Sequence, residues 1–139
     1  MRYKRSTQER SLTSPARTTA PHVKKNVDRY GTTKLGKAAE KGDLEAVKQA
    51  YEQSPDELNQ PDYAGIAPLQ KASLKGHAGV VAYLIKQGCR PDVQDDQGDT
   101  PLIDAVTNGE LDVVRILLKH GVNPHHSNSN GQRAMDFLE

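Results

Sequence analysis

The chain contains no tryptophan, one phenylalanine and one cysteine among its 139 residues, and it has no long apolar run. The single Cys89 has no partner for an internal disulfide, so nothing favours a secreted protein. No apolar stretch approaches the ~20 residues of a transmembrane helix. Residues 1–30 also lack the apolar segment of a secretory signal. These absences predict an intracellular protein without a membrane partner.

Motifs that carry chemistry are also missing. The sequence has no Gly-x-Ser-x-Gly, no phosphate-binding glycine-rich loop and no His-Glu-x-x-His. An EF-hand counted back from Gly98 would begin at Val93 instead of an aspartate, so a calcium loop does not fit. His125 and His126 are adjacent and have no third ligand close in sequence, which favours a turn over a metal site. We therefore predict no catalytic residue, no metal, no cofactor and no enzymatic activity.

The net charge of +1 is divided unevenly along the chain. Residues 1–30 contain eight Lys or Arg and two Asp or Glu, a net charge of +6. Residues 31–139 contain eleven and sixteen, a net charge of −5. Because apolar residues are sparse and aperiodic in residues 1–30, this segment is predicted to be a disordered basic tail.

Several functions fit this tail, and a plain solvated extension fits it equally well. The clusters Arg2-Tyr-Lys-Arg5 and Lys24-Lys25 suit nuclear import or weak, sequence-independent binding of nucleic acid. Ser14-Pro15 suits proline-directed phosphorylation, which would weaken the basic field. A mitochondrial presequence fits poorly, because an apolar face is missing and Glu9 is present.

A repeat with a period of 33 or 34 residues is the most informative feature that the chain does contain. Gly31-Thr-Thr-Lys-Leu35, Gly65-Ile-Ala-Pro-Leu69 and Gly98-Asp-Thr-Pro-Leu102 begin three copies, and Gly131-Gln-Arg-Ala-Met135 begins a fourth. A fixed period of this size indicates stacked supersecondary units instead of one closed globule. The predicted repeats lie near 31–64, 65–97 and 98–130, with a half-repeat at 131–139.

The third copy shows how one unit should fold. Thr100-Pro101 supplies a hydroxyl N-cap and a proline at the first helical position. Apolar residues in 102–106 follow at helical spacing. Gly109 can adopt the left-handed conformation that ends this first helix. Residues 111–118 then fit a second amphipathic helix, and Gly121 supplies its cap.

This pattern resembles the ankyrin repeat. The match is closest in the third copy, and the second copy follows it well. The matching residues are Gly98, Thr100-Pro-Leu102, Ala105, Gly109, Val113-Val114, Leu117-Leu118 and Gly121, and Gly65, Pro68-Leu69, Ala72, Gly76-His77, Val80-Val81, Leu84-Ile85 and Gly88. The resemblance implies an all-α solenoid of stacked helix-turn-helix units with hairpin-like loops. It also implies a monomer that serves as a protein–protein interaction scaffold.

Departures from the family pattern alter some expectations. The histidine that usually begins the first helix is replaced in every copy, which puts the usual hydrogen bonding between helices in doubt. Ala67 removes the hydroxyl cap of the second copy, a loss of ~1 kcal/mol. His77 is expected to be structural, and Cys89 is expected to be a small buried hydrophobe. The residues that replace the histidine are Gly36, Gln70, Ile103 and Asp136.

The two ends of the repeat region are expected to differ from its middle. The first copy is the most degenerate, as a polar capping unit requires. In the fourth copy, Met135 and Leu138 are expected to form a lid over Leu102 and Ala105. Cutting of a longer chain at Glu139 is the alternative explanation for this half-repeat.

A narrower resemblance rests on a few short strings. Gly98-Asp-Thr-Pro-Leu-Ile-Asp-Ala105, with Gly31-Thr-Thr-Lys-Leu35 and Leu58-Asn-Gln-Pro-Asp-Tyr-Ala-Gly65, is similar to fungal ankyrin subunits of the SET-domain-associated histone deacetylase complex. This resemblance implies a nuclear, chromatin-associated scaffold that takes part in the regulation of transcription. A cytosolic adaptor or an inhibitor of another enzyme is the alternative.

The ankyrin resemblance also implies where a partner binds, namely the concave surface of loop tips and first helices. Tyr63, Ile66 and Leu74 would be its apolar anchors. The cluster Asp95-Asp96-x-x-Asp99 with Asp104 would attract a Lys- or Arg-rich segment: a partner tail, a histone-like peptide or this chain's own residues 1–30. A solvated acidic loop explains the cluster equally well. The predicted partner-binding residues are Asp62, Tyr63, Ile66, Lys71, Leu74, Lys75, Asp95, Asp96, Gln97, Asp99, Asp104, Thr107, Asn108, Asn128 and Asn130.

Overall fold

The computed structural model describes residues 27–137, which fold into three antiparallel helix pairs stacked in a row. Expectations for residues 1–26 and for Leu138 therefore lie outside the described residues. A 3₁₀ turn at Pro55–Glu57 follows the first pair, and another at Ala134–Phe137 follows the third. The helices are α1 (Lys34–Lys41), α2 (Leu44–Gln53), α3 (Pro68–Lys75), α4 (Ala78–Lys86), α5 (Pro101–Thr107) and α6 (Leu111–Lys119).

The stacking order confirms the all-α repeat architecture. Within each pair, the first helix packs against the second: α1 on α2, α3 on α4 and α5 on α6. Between pairs, the first helices form one layer, with α3 between α1 and α5, and the second helices form the other layer. The core is a thin layer of mostly aliphatic side chains between the two helix layers. Leu35, Leu69 and Leu102 occupy equivalent positions in it. None of the helices in residues 27–137 has the length and apolar content that crossing a membrane requires.

Local signals in the third repeat determine its helix boundaries as predicted. Thr100 Oγ1 accepts a hydrogen bond from Ile103 N at 3.1 Å, which satisfies one free amide at the start of α5. Gly109 has a φ of +70°, a conformation that the Cβ of other residues disfavours, and it turns the chain towards α6. Cys89 is buried as expected, and burial raises the pKa of its thiol to about 12.

The second repeat begins its first helix without a hydroxyl cap, as predicted from Ala67. Gln70 compensates in part, because its Oε1 accepts a hydrogen bond from Ala67 N at 3.2 Å. This contact is the reverse half of a capping box, in which the side chain of the third helical residue reaches back to the amide before the helix. Pro68, at the first helical position, has no amide hydrogen that needs a partner.

The end of the described chain differs from the expected lid. Residues 134–137 form a 3₁₀ turn that packs against α5, but Ala134 is its buried residue and Met135 is exposed. The expectation that Met135 covers the third repeat is therefore wrong. The tighter 3₁₀ winding, at three residues per turn, changes which side chain points towards α5.

Ser73 is the one buried side chain within residues 27–137 whose polar atom has no hydrogen-bond partner. It lies on α3, where α1 carries Ala39 at the equivalent position, and both residues are fully buried. We expect Ser73→Ala to raise the free energy of unfolding by about 1 kcal/mol, because a desolvated hydroxyl is removed. Urea denaturation measures the change, and helix propensity alone accounts for about 0.5 kcal/mol of any increase. A fall in stability would contradict the expectation.

Candidate functional site

Each loop that precedes a first helix is held in shape by a single Asp or Asn side chain. In the second repeat, Asp62 Oδ1 accepts hydrogen bonds from Ala64 N at 2.9 Å and from Ile66 N at 3.0 Å. Asp28, Asp95 and Asn128 hold the corresponding loops through the same pair of contacts. These side chains are therefore engaged within their own loops, a role that the sequence analysis missed. The signal was present as an Asp or Asn three residues before each repeat glycine.

The loop tips are joined to one another by backbone hydrogen bonds. Tyr63 N donates to Tyr30 O at 2.9 Å, Asp96 N donates to Ala64 O at 3.1 Å, and Ser129 N donates to Gln97 O at 2.9 Å. The four tips thus form one continuous ridge along the edge of the stack. Adjacent loops lie so close that a Cβ on Gly31 would be 2.6 Å from the ring of Tyr63. Glycine is therefore required at position 31 for this packing as well as for its φ of +81°.

A groove of about 690 Å³ lies between the first two loops and their first helices. The two tyrosines at its rim are strongly exposed, Tyr30 at 61% and Tyr63 at 74%. Arg29 lies with its guanidinium 5.2 Å from the centre of the Tyr30 ring. The groove is lined by Asp28, Arg29, Tyr30, Thr32, Lys37, Glu40, Asp62, Tyr63, Ala64 and Lys71.

A buried ion pair forms the floor of this groove. Lys71 Nζ lies 2.8 Å from Asp62 Oδ2, and the two side chains are only 11% and 8% exposed. Lys71 was expected to contact a partner, yet it lies beneath the loop and is already paired. Burial disfavours the ionised carboxyl of Asp62, but hydrogen bonds from Lys71 and the Ile66 and Ala64 amides outweigh it, so its pKa lies below the ordinary value.

The first repeat contains a looser version of the same pair. Lys37 Nζ lies 3.7 Å from Asp28 Oδ2, and the lysine side chain is 52% exposed. Hydrogen bonds from the Thr32 and Tyr30 amides, together with Lys37, hold the pKa of Asp28 below its usual range despite partial burial. In both repeats, the lysine follows the loop aspartate by nine residues.

The third repeat has an aspartate where the first two have this lysine. Asp104 follows the loop residue Asp95 by nine positions, so that two carboxyl groups occupy the places of an ion pair. Burial raises the pKa of Asp104 to about 7, and the negative charges of Asp99 and Asp95 add to the effect, while a hydrogen bond from Gln70 opposes it.

Neutral amide side chains connect the third repeat to the neighbouring repeats. Gln70 is fully buried, and its Nε2 donates to the backbone carbonyl oxygen of Asp99 at 2.7 Å. Asn128 Nδ2 donates to Asp99 Oδ1 at 2.9 Å. Gln70 stands where the family usually has histidine, so in this repeat a glutamine supplies the hydrogen bond between units that was in doubt. His77 Nε2 lies 2.9 Å from Glu40 O, which supports the expected structural role of the histidine.

The remaining predicted site residues lie in the loops, on the first helices or at the ends of these helices, and they differ in exposure. Ile66, Asp62, Asp95, Asp99, Asp104 and Asn128 are partly buried, whereas the others apart from Lys71 are exposed. Thr107 and Asn108 hydrogen-bond to the last carbonyl groups of α5, so they complete the helix end. Sequence reasoning missed the groove residues of the first repeat. These are Asp28, Arg29, Tyr30, Thr32, Lys37 and Glu40.

Metal binding finds no support in this part of the molecule. Within residues 27–137, no three His, Cys, Asp or Glu side chains converge closely enough to hold a metal ion.

A row of helix pairs with hydrogen-bonded loops along one edge defines a helical-repeat protein. The family model for ankyrin repeats matches residues 22–128 with three copies. The chain therefore belongs to the ankyrin-repeat family. Ankyrin repeats are typically non-catalytic modules that bind other proteins.

Two curated proteins share part of this repeat region. A BTB/POZ domain-containing protein 3 of Schizosaccharomyces pombe is 38% identical over 65 residues, which are 47% of this chain and 12% of that protein. The 60 kDa lysophospholipase of Mus musculus is 43% identical over 51 residues, which are 37% of this chain and 9% of the lysophospholipase. The chain thus matches only about a tenth of the length of either relative, in line with a repeat module used in different proteins.

Proposed function

We propose that this protein binds a partner protein through its concave edge, with Tyr30 and Tyr63 as the main contacts. The supporting observation is the groove of about 690 Å³ beneath these two exposed rings. Tyrosine combines a large apolar surface with a polar hydroxyl and few rotatable bonds, which makes it a frequent centre of protein interfaces.

The loop architecture favours binding without large rearrangement. The side chain of Asp62 and the hydrogen bond from Tyr63 N to Tyr30 O fix both tips in the free protein. A surface that is ordered before binding loses little conformational entropy when the partner arrives, so more of the contact energy contributes to affinity. Membership of a nuclear histone deacetylase complex remains a prediction from the sequence resemblance alone.

Tyr63→Ala tests the proposal. We expect it to weaken partner binding by about 2 kcal/mol, roughly a 30-fold increase in Kd, because the most exposed ring of the groove is lost. Affinity purification with quantitative mass spectrometry identifies the bound proteins, and titration calorimetry with the purified partner then measures Kd. Leu111→Ala is the matched control, since Leu111 is also strongly exposed but lies on α6 outside the groove. Equal recovery with Tyr63→Ala and loss with Leu111→Ala would place the interface elsewhere.

A further inference from the structure

Equivalent positions of the three repeats differ in one cation, the lysine that faces the loop aspartate. The first and second repeats each place a lysine ammonium against the Oδ2 atom of the loop aspartate, at 3.7 Å for Lys37 and at 2.8 Å for Lys71. The loop aspartate therefore plays two parts, because its Oδ1 holds the turn while its Oδ2 binds an ammonium group. In two of the three complete repeats, a lysine of the same chain therefore pairs with the loop aspartate.

The third repeat keeps the turn but lacks the lysine. Asp95 Oδ1 accepts from the amides of Gln97 and Asp99, as in the other loops. Asp104 occupies the lysine position. No Lys or Arg of residues 27–137 lies within 4.0 Å of the carboxylates of Asp95, Asp99 or Asp104. The loop aspartate of the third repeat, Asp95, therefore has no ammonium partner among residues 27–137, and the carboxyl groups of Asp99 and Asp104 add negative charge nearby.

The charged groups on the neighbouring elements do not neutralise this cluster. On α3, Lys71 is paired with Asp62, and the uncharged Gln70 donates to the backbone carbonyl oxygen of Asp99, which leaves the carboxylate charge unchanged. In the terminal 3₁₀ segment that packs on α5, Arg133 is paired with Asp136. We refer to Asp95, Asp99 and Asp104 as the third-repeat carboxylates.

We propose that the third-repeat carboxylates bind the ammonium group of a lysine side chain from the partner protein, which would lie against Asp95 and Asp104 much as the ammonium group of Lys71 lies against Asp62. This inference rests on the proposed function, because the same partner must lie along the concave edge. Burial, together with the negative charges of Asp99 and Asp95, raises the pKa of Asp104, and a bound ammonium group would oppose both effects.

The arrangement also indicates how the bound segment is spaced. Neighbouring helices of a stack lie about 10 Å apart, and an extended chain advances about 3.3 Å per residue. A segment that inserts an apolar or aromatic side chain beside Tyr63 and a lysine at Asp104 therefore carries them about three positions apart, with roughly two residues between them. The partner is expected to carry this pair of side chains in an extended region.

Selection of a random dodecapeptide library against the full chain tests the inference. We expect selected peptides that bind through Tyr63 to contain a lysine at a constant distance from an apolar residue. Replacing that lysine by norleucine in the peptide should raise Kd roughly tenfold, because the charge is lost while the aliphatic stem remains. The same replacement should change Kd by less than about twofold in Asp104→Asn, because the lysine and Asp104 then no longer act as a pair.

Asp112→Asn and Asp104→Lys complete the experiment. Asp112 is an exposed aspartate of α6, so Asp112→Asn changes the net charge equally and should leave the lysine effect intact. Asp104→Lys restores the pair of the first two repeats within the chain, and we expect it to fold and to lose the preference for lysine. Unaltered secondary structure by circular dichroism in each variant shows that the fold is kept.

The outcomes separate the two proposals. Peptides that depend on Tyr63 but tolerate norleucine overturn the lysine inference and leave the proposed function standing. Selected peptides that bind equally well to Tyr63→Ala overturn the proposed function itself. A carboxyl titration of the full chain by NMR tests the remaining occupant, a cation of the chain's own residues 1–26. A pKa of Asp104 at or below its ordinary value would show that the position is already filled and overturn the inference.

Discussion

Replacing Lys71 by methionine is expected to lower the free energy of unfolding by about 3–5 kcal/mol. The substitution keeps the length of the side chain but leaves the carboxylate of Asp62 buried without its cation. Both groups of this pair are almost fully enclosed, so water in the groove compensates for only part of the loss. Urea denaturation at pH 7, followed by circular dichroism, measures the change.

Lys37→Met is the matched control, because it removes the equivalent lysine of the first repeat. The distance to Asp28 is longer and the lysine is half exposed, so we expect a cost below about 1 kcal/mol. Equal small losses in the two variants would contradict the conclusion that the second pair is a buried, stabilising contact.

The pH dependence of the Lys71→Met effect has a definite sign. The pKa of Asp62 is lowered in the folded state, so the pair stabilises fully above the unfolded value of ~3.9. That stabilisation is lost as the pH falls through the folded pKa. The difference between wild type and Lys71→Met should therefore shrink in acid.

The periodic features of the sequence were sufficient to predict the architecture. Columns of aliphatic residues, Thr100 before a proline, and Gly109 after a short apolar helix each act within one turn of the chain. Such local effects do not depend on the rest of the fold, and the structure confirms them in α5 and α6. Within residues 27–137, the architecture departs from the prediction at the last turn, where a 3₁₀ segment brings Ala134 inward in place of Met135.

The candidate site was less accessible to sequence reasoning, because exposure on the concave edge is decided by the loops. Lys71 looks like an exposed helical lysine until the preceding loop folds over it and supplies Asp62 as its partner. The groove residues Arg29 and Tyr30 were assigned to the basic tail, since charge composition alone does not show that Asp28 organises a turn there.

The presence of Asp104 where the other repeats have a lysine acquires a meaning only from the structure. Its spacing of nine residues from Asp95 is visible in the sequence, but its meaning depends on the contacts that Lys71 and Lys37 make in their own repeats. The acidic cluster was recognised from composition, whereas its incomplete ion pairing required the comparison of equivalent positions.

Asp104→Asn is expected to stabilise the protein at alkaline pH, in contrast to most substitutions at a functional surface. The pKa of Asp104 is raised to about 7 in the folded protein. The folded state therefore binds a proton more tightly than the unfolded state, whose carboxyl titrates near ~3.9. The stability that this group contributes is complete below about pH 4 and is lost as the pH rises to about 7. Asparagine avoids that loss because it never ionises.

The expected gain for Asp104→Asn at pH 8 is about 2–4 kcal/mol, from a shift of roughly three pKa units reduced by solvent screening. At pH 4, where the wild-type carboxyl is largely protonated in the folded state, the two proteins should differ by less than about 1 kcal/mol. Urea denaturation at the two pH values measures both differences, with Asp112→Asn as the control for a change in net charge. A gain of equal size at pH 4 and pH 8 would show that packing, and not ionisation, separates the variants. A gain confined to pH 8 would show that the ionised carboxyl group of Asp104 destabilises the free protein, and the proposed lysine of the partner would then recover part of that stability on binding.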